Sequence, residues 1–186
     1  MIDEILSETE QHMTAALASM QRALGGVRTG RATTSMLDGI RVSYYGTPTP
    51  LNQLSTVSVP EARLVVIKPY EANLIGDIEK AIRADLTLGL NPSNDGEIIR
   101  LPIPELTEER RIELTKVARS RAEDGRVAVR HGRREGLDLI DEAQKEGEVS
   151  EDDSRTGHDR IQALTDDFVK RIDEMIISKE AEIMEV

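Results

Sequence analysis

The strongest constraint on this chain is a break in its periodicity: helical patterning occupies both ends, and a different kind of sequence separates them. Residues 2 to 27 place Ile2, Ile5, Leu6, Met13, Ala16, Leu17, Met20, Leu24 and Val27 three and four apart, which predicts an amphipathic helix with one apolar stripe. The pattern returns from residue 107 to about 146. It starts again at Ser150, with Ile161, Leu164, Phe168, Ile172, Met175, Ile176 and Ile183 as the stripe. Thr107 and Ser150 are each placed to cap a helix, and the acidic residues after them (Glu108 and Glu109; Glu151, Asp152 and Asp153) suit a helix N-terminus. "KEGEVS", around Gly147, reads as the turn between the two segments. In the middle, "GIRVSYYGTPTPL", "LSTVSV", "RLVVIKP" and "EIIRLPIP" are β-branched runs punctuated by Gly and Pro, and so read as strands. One helix, "EANLIGDIEKAIRAD", lies among them.

A single stripe cannot bury itself, but three can bury one another. The expected fold is therefore α+β. A discontinuous three-helix bundle is built from residues 1–30 and 105–186, and a small β/α/β domain is inserted at 31–104. Two covalent junctions make hinges near 29–31 and 101–106, with Thr29, Gly30, Pro102 and Pro104 as the hinge residues. Glycine adopts backbone angles that other residues resist, and the prolines stiffen the return strand and exclude helix there.

The charge is unevenly distributed. The formal net charge is -11, yet nine Lys or Arg stand against three Asp or Glu between Arg110 and Arg134. From Glu135 to the end the balance reverses, with six basic residues against seventeen acidic. At 100° per residue, Arg119, Arg126, Arg130 and Arg133 fall within about 60° of one another on the middle helix, flanked by Lys116 and Arg134. Leu114, Val117, Ala128 and Leu139 lie near the opposite side and are expected to face the bundle. Few acidic residues stand three or four positions from the ridge, so a solvated salt-bridged face accounts for it less well than an anion-binding one. Arginine's planar fork suits bidentate phosphate contacts, which points to a folded or duplex RNA backbone. Arg28 and Arg31 add two guanidiniums beside Gly30. A rival reading makes the chain a helical-bundle adaptor whose basic face docks an acidic protein partner.

Other chemistries find little support. With aromatics at 2% and no Trp, stacking of unpaired bases on aromatic platforms is not expected. The absence of cysteine removes disulfides and thiolate chemistry. "GGVRTGRA" approaches a phosphate-binding loop, but Arg31 replaces the lysine and Ala32 cannot supply a hydroxyl. "NPSNDGEIIRLP" begins like a calcium loop and then has Pro102 where a bidentate Glu belongs, so it reads as a turn between strands. His12, His131 and His158 are far apart in sequence, without metal-ligand spacing. No catalytic residue, metal or cofactor is expected. The acidic "MIDEILSETE" start does not read as a signal peptide, and no apolar run is long enough to span a membrane. A monomeric cytoplasmic protein is expected. Gly125, Gly132 and Gly136 stand out in the middle helix, marking either close backbone approach or drift.

"VRTGRA", "LDGIRVSYYGTPTPL", "LGLNP", "LTEERR", "RVAVR" followed by "RR", and "SEDD" resemble, in order and spacing, the bacterial ribosome recycling factor family. The resemblance runs through essentially the whole chain. It implies an L-shaped two-domain protein that acts on the ribosome after termination. With elongation factor G and GTP it splits the ribosome into subunits, binding large-subunit rRNA through its bundle and making no covalent bond itself. Carried over by position, the RNA-contacting residues are Arg28, Arg31, Arg111, Arg126, Arg130, Arg133 and Arg134. In "HGRREG" the chain departs from the family's usual better helix formers.

Overall fold

A computed structural model of the chain describes residues 1–86 and 88–185. The chain divides into two compact units, Met1–Thr29 with Thr107–Val186, and Gly30–Leu106. Thr87 and Val186, which fall within the two expected domains, lie outside the described residues.

The first unit is a three-helix bundle of α1 (Ile2–Gly25), α4 (Glu108–Lys145) and α5 (Glu151–Met184). Both expected caps form. Thr107 accepts the Arg110 N–H at 3.2 Å, and Ser150 accepts that of Asp153 at 3.1 Å. α1 buries Leu6, Met13, Met20 and Leu24, and α5 buries Ile161, Phe168, Ile172, Ile176 and Ile183, as their stripes require.

The inner face of α4 is a different one from that expected. Leu114 is buried, but Val117, Ala128 and Leu139 are exposed. The buried positions are Leu114, Ala118, Ala122, Gly125, Val129, Gly132, Gly136, Ile140 and Ala143. This face is dominated by small residues because the neighbouring helices come close. A methyl group at Gly125 would lie 2.9 Å from the Met20 sulfur, and one at Gly136 would collide with the Thr9 hydroxyl and reach within 2.9 Å of Ile161 Cδ1. On α5, Gly157 faces Ile140 Cδ1 in the same way, at 2.8 Å. Gly132 is roomier, with the nearest atoms of Met13 and His12 at 3.6 and 3.7 Å. Large apolar side chains mark a helix face in sequence, whereas here glycine and alanine line the seam.

The second unit comprises a hairpin, β1 (Arg41–Tyr44) with β2 (Thr47–Pro50), and a four-stranded antiparallel sheet. The sheet has the order β3 (Ser55–Glu61), β4 (Leu64–Pro69), β6 (Ile99–Pro102), β5 (Ser93–Asn94). A short helix, α2 (Leu51–Leu54), links hairpin to sheet, and α3 (Ile75–Ala84) follows a single 3₁₀ turn. Alternation along β4 and β6 turns Val65, Ile67, Ile99 and Leu101 inward, where they join Val42, Ile78 and Ile82 in one core. The tight β1–β2 turn places Tyr45 and Gly46 at φ of 47° and 80°.

Both chain crossings are fastened at the β3–β4 turn. The Ala32 N–H donates to the Ala62 carbonyl at 2.7 Å, and the Ile103 N–H donates to that of Arg63 at 2.8 Å. Arg63 also pairs with Glu105. Pro102 lies in β6, opposite Leu64. The expected hinge stretch 101–106 is thus partly sheet, and its segment beyond the ladder is Pro104–Leu106. Gly30 has φ 76°, and a Cβ there would sit 3.1 Å from the Leu106 side chain.

The calcium-like stretch is a turn between β5 and β6. One Asp95 oxygen accepts the N–H groups of Glu97 and Ile98, each at 3.0 Å, and the other pairs with Arg100 at 3.0 Å. Donation from Ile98 and Glu97, assisted by Arg100, lowers the Asp95 pKa from 3.8 to about 2. The stabilisation from this depressed pKa is therefore complete above the ordinary value and lost as pH falls toward about 2. In an NMR carboxyl titration, Asp95 should have its midpoint near the lowered value, and Arg100→Gln should move it only slightly. An ordinary midpoint in the unsubstituted protein would refute the assigned turn.

The glycine seam yields a second test. Gly132→Ala should raise stability by up to ~1 kcal/mol through helix propensity. Gly136→Ala should lower it by about 1–3 kcal/mol through overpacking. Denaturant melts followed by circular dichroism would separate the two, and the reverse order would contradict the packing described.

Candidate nucleic-acid interface

α4 is 38 residues long, about 57 Å at 1.5 Å per residue. Its buried face fixes where its arginines project. Relative to the seam centred on Ala118 and Gly136, the ridge of Arg119, Arg126, Arg130 and Arg133 is turned by about 90°. That rotation puts the ridge on the flank of α4 that meets α5, and the neighbouring carboxylates answer it.

Arg119 pairs with Glu180. Seven residues on, Arg126 directs Nε and Nη2 to one Asp173 oxygen at 3.0 and 2.7 Å. The spacing is seven on both helices, run in opposite directions, so the pairs form rungs of a ladder between antiparallel rods. Each carboxylate raises the pKa of its arginine: Glu180 does so for Arg119, and Asp173, aided by Glu123 against partial desolvation, does so for Arg126. The side chain of Arg126 is only 21% exposed. Glu123 also accepts from Arg126 Nη1 at 3.1 Å and from Arg130 Nη1 at 3.2 Å, which links the two arginines along α4.

The expectation of a ridge with few internal acidic partners is thus corrected for Arg119, Arg126 and Arg130. Most of those partners come from α5 or from seven residues away on α4, beyond a count at three and four positions. The signal was present as matching sevenfold spacing of Arg119 and Arg126 with Glu180 and Asp173, but it is readable only once the helix register is known.

Further along, the pairing stops. Arg133 Nη1 reaches only the neutral Gln162 Oε1, at 3.4 Å, and its Nε is buried without a partner. Arg134 is exposed and makes no ion pair among the described residues. An open groove of about 330 Å³ lies here, with walls that include Arg130, Arg133, Lys170, Gln162, Asp166 and Asp173.

The remaining candidates lie elsewhere. Arg111 falls on the inward side of α4, partly buried, with an unpartnered Nε. Arg28 is exposed in the bundle unit, and Arg31 is exposed in the second unit. The histidines, far apart in sequence, all meet carboxylates. His12 and His131 approach Glu135 at 3.4 and 3.3 Å, and His158 approaches Asp141 at 2.9 Å. Among the described residues no group of His, Cys, Asp and Glu is placed to hold a metal ion.

Comparison with known proteins converges on one family. The family model "Ribosome recycling factor" matches residues 20–184. The ribosome-recycling factor of Desulforamulus reducens is 52% identical, and that of Saccharopolyspora erythraea is 53% identical, each over the full length of both chains. A solution structure of a ribosome recycling factor, 40% identical, matches with a TM-score of 0.76 over all of this chain and 98% of the other. The T. thermophilus factor, described with E. coli elongation factor G bound to the E. coli post-termination complex, is 43% identical and matches with a TM-score of 0.66 over the whole of both chains. With the fold and the full-length similarity in agreement, the chain belongs to the ribosome recycling factor family.

Proposed function

We propose that this protein binds the post-termination ribosome through large-subunit rRNA and, with elongation factor G and GTP, promotes its separation into subunits. The observation that carries the reading is the guanidiniums of Arg130 and Arg133 lining an open groove, with Arg134 exposed next to them, in a chain about half identical to recycling factors along its whole length. A guanidinium presents several donors in a rigid fork, so one arginine can hold two phosphate oxygens at once. Arg133 and Arg134, which make no ion pair among the described residues, take the primary role. Arg130, half-exposed and tied to Glu123, can reorient toward phosphate while keeping one contact. Arg28, Arg31 and Arg111 join them by family position. Arg126 also has a family position, but its guanidinium is largely engaged by Asp173 and Glu123, so its contribution is to brace the flank.

The negative charge concentrated after Glu135 has a part in this reading. A polyanion is repelled by most of the molecule and attracted at one flank, which orients docking. The work of separation comes from the partner GTPase, so no catalytic group is needed in this chain. Thr29 and Gly30 on the outgoing crossing and Pro104 on the return form the joint through which the second unit is moved, while Pro102 anchors the return strand in the sheet. No helix among the described residues is long and apolar enough to cross a membrane, and the ribosome is met in the cytoplasm.

Arg133→Glu should weaken large-subunit binding substantially in a pelleting assay while leaving the helical circular dichroism signal intact. Wild-type affinity in this variant would overturn the reading. For the unsubstituted protein, the logarithm of affinity should fall with that of salt by about one unit per phosphate contact, and a flat dependence would equally count against it.

A further inference from the structure

The ladder between α4 and α5 has a third rung that does not close. Arg119 meets Glu180 and Arg126 meets Asp173, so the same antiparallel register sets Arg133 opposite Asp166. These two do not pair. Gln162, one turn before Asp166 on α5, donates from Nε2 to Asp166 Oδ1 at 2.8 Å and offers Oε1 to Arg133 at 3.4 Å. The first bond is short and charge-assisted, and the second is near the outer limit for a hydrogen bond.

We propose that Gln162 is a positioning residue that occupies the Asp166 carboxylate and so keeps the Arg133 guanidinium available for an RNA phosphate. This inference rests on the reading that Arg133 meets phosphate. An arginine held by a carboxylate must break that pair before binding another anion, as Arg119 and Arg126 would have to. An arginine resting on a neutral amide gives up little. Gln162 also supports Arg133 from its oxygen side, which limits the side chain's wandering and favours the geometry that faces the groove. The same amide therefore shields one partner and steadies the other, which neither Ala nor Glu at this position would do. A carboxylate introduced by Gln162→Glu would itself supply the missing rung.

The test is a rescue experiment, with large-subunit affinity as the readout. Gln162 is exposed, so its replacement leaves the bundle core untouched. Gln162→Ala should free Asp166 to pair with Arg133 and weaken binding about three- to fivefold, the range of a surface ion pair. Adding Asp166→Asn to that variant should restore most of the lost affinity, because the competing charge has gone and only the steadying contact from Gln162 is still missing. Asp166→Asn alone should bind at least as tightly as wild type. Unchanged affinity in Gln162→Ala, or a double variant as weak as Gln162→Ala, would overturn the proposal. Arg133→Gln, measured alongside, separates the two levels. If it weakens binding while Gln162→Ala does not, only the role of Gln162 fails. If it binds like wild type, the phosphate reading fails as well, and this proposal with it.

Discussion

At Gly136 there is no space for even one methyl group between α4, the Thr9 hydroxyl and Ile161, and Gly125 and Gly157 are nearly as tight against Met20 and Ile140. Contacts this close leave little freedom of rotation or slide for any of the three helices, because interiors packed to crystal-like density do not deform continuously. The rotation of α4 about its axis follows from them. So does the placement of its arginines a quarter-turn from the seam, beside α5, and the opposition of Arg119 to Glu180 and Arg126 to Asp173. The glycines cost helix propensity, and what they secure is the register on which the charged flank depends.

That flank divides into a closed and an open part. In the closed part, arginine and carboxylate satisfy one another across the seam. Each such pair in partly exposed surroundings adds only ~0–1 kcal/mol, but it holds a long side chain in one orientation. In the open part, from Arg133 onward, the acid opposite in register, Asp166, is engaged by Gln162 and the Arg133 guanidinium lines a groove. A uniformly paired flank would be inert toward phosphate, and a uniformly unpaired one would be self-repelling and poorly ordered. Having both in sequence gives a braced base and an available tip.

Much of the architecture is legible in the residues. Thr107 and Ser150 announce their helices, the stripes of α1 and α5 name their buried faces, and the Gly- and Pro-punctuated middle reads as strands around one helix. α4 is where pattern reading fails. Val117, Ala128 and Leu139 look like an apolar face and are exposed, because the real seam is lined with Gly and Ala, whose small size rather than hydrophobicity is the signal. The arginines themselves are visible in sequence, but their partners are not, since Asp173 and Glu180 lie 47 and 61 residues away along the chain and become neighbours only through register. Pro102, read as a joint, lies in β6, because proline on an edge-facing ladder position is compatible with a strand end.

α4 carries carboxylate-paired guanidiniums at Arg119 and Arg126 and open ones at Arg133 and Arg134, and the proposed function has the open ones meet the ribosome. Residue-by-residue modification with an arginine-selective dicarbonyl, read by mass spectrometry with and without large ribosomal subunits, tests it most directly. Arg133 and Arg134 should be modified fast in the free protein and strongly protected on the subunit, whereas Arg126, 21% exposed with both terminal nitrogens engaged, should be modified slowly in either state. Equal reactivity of Arg126, Arg133 and Arg134 in the free protein, or no protection of Arg133 and Arg134 on the subunit, would refute this division.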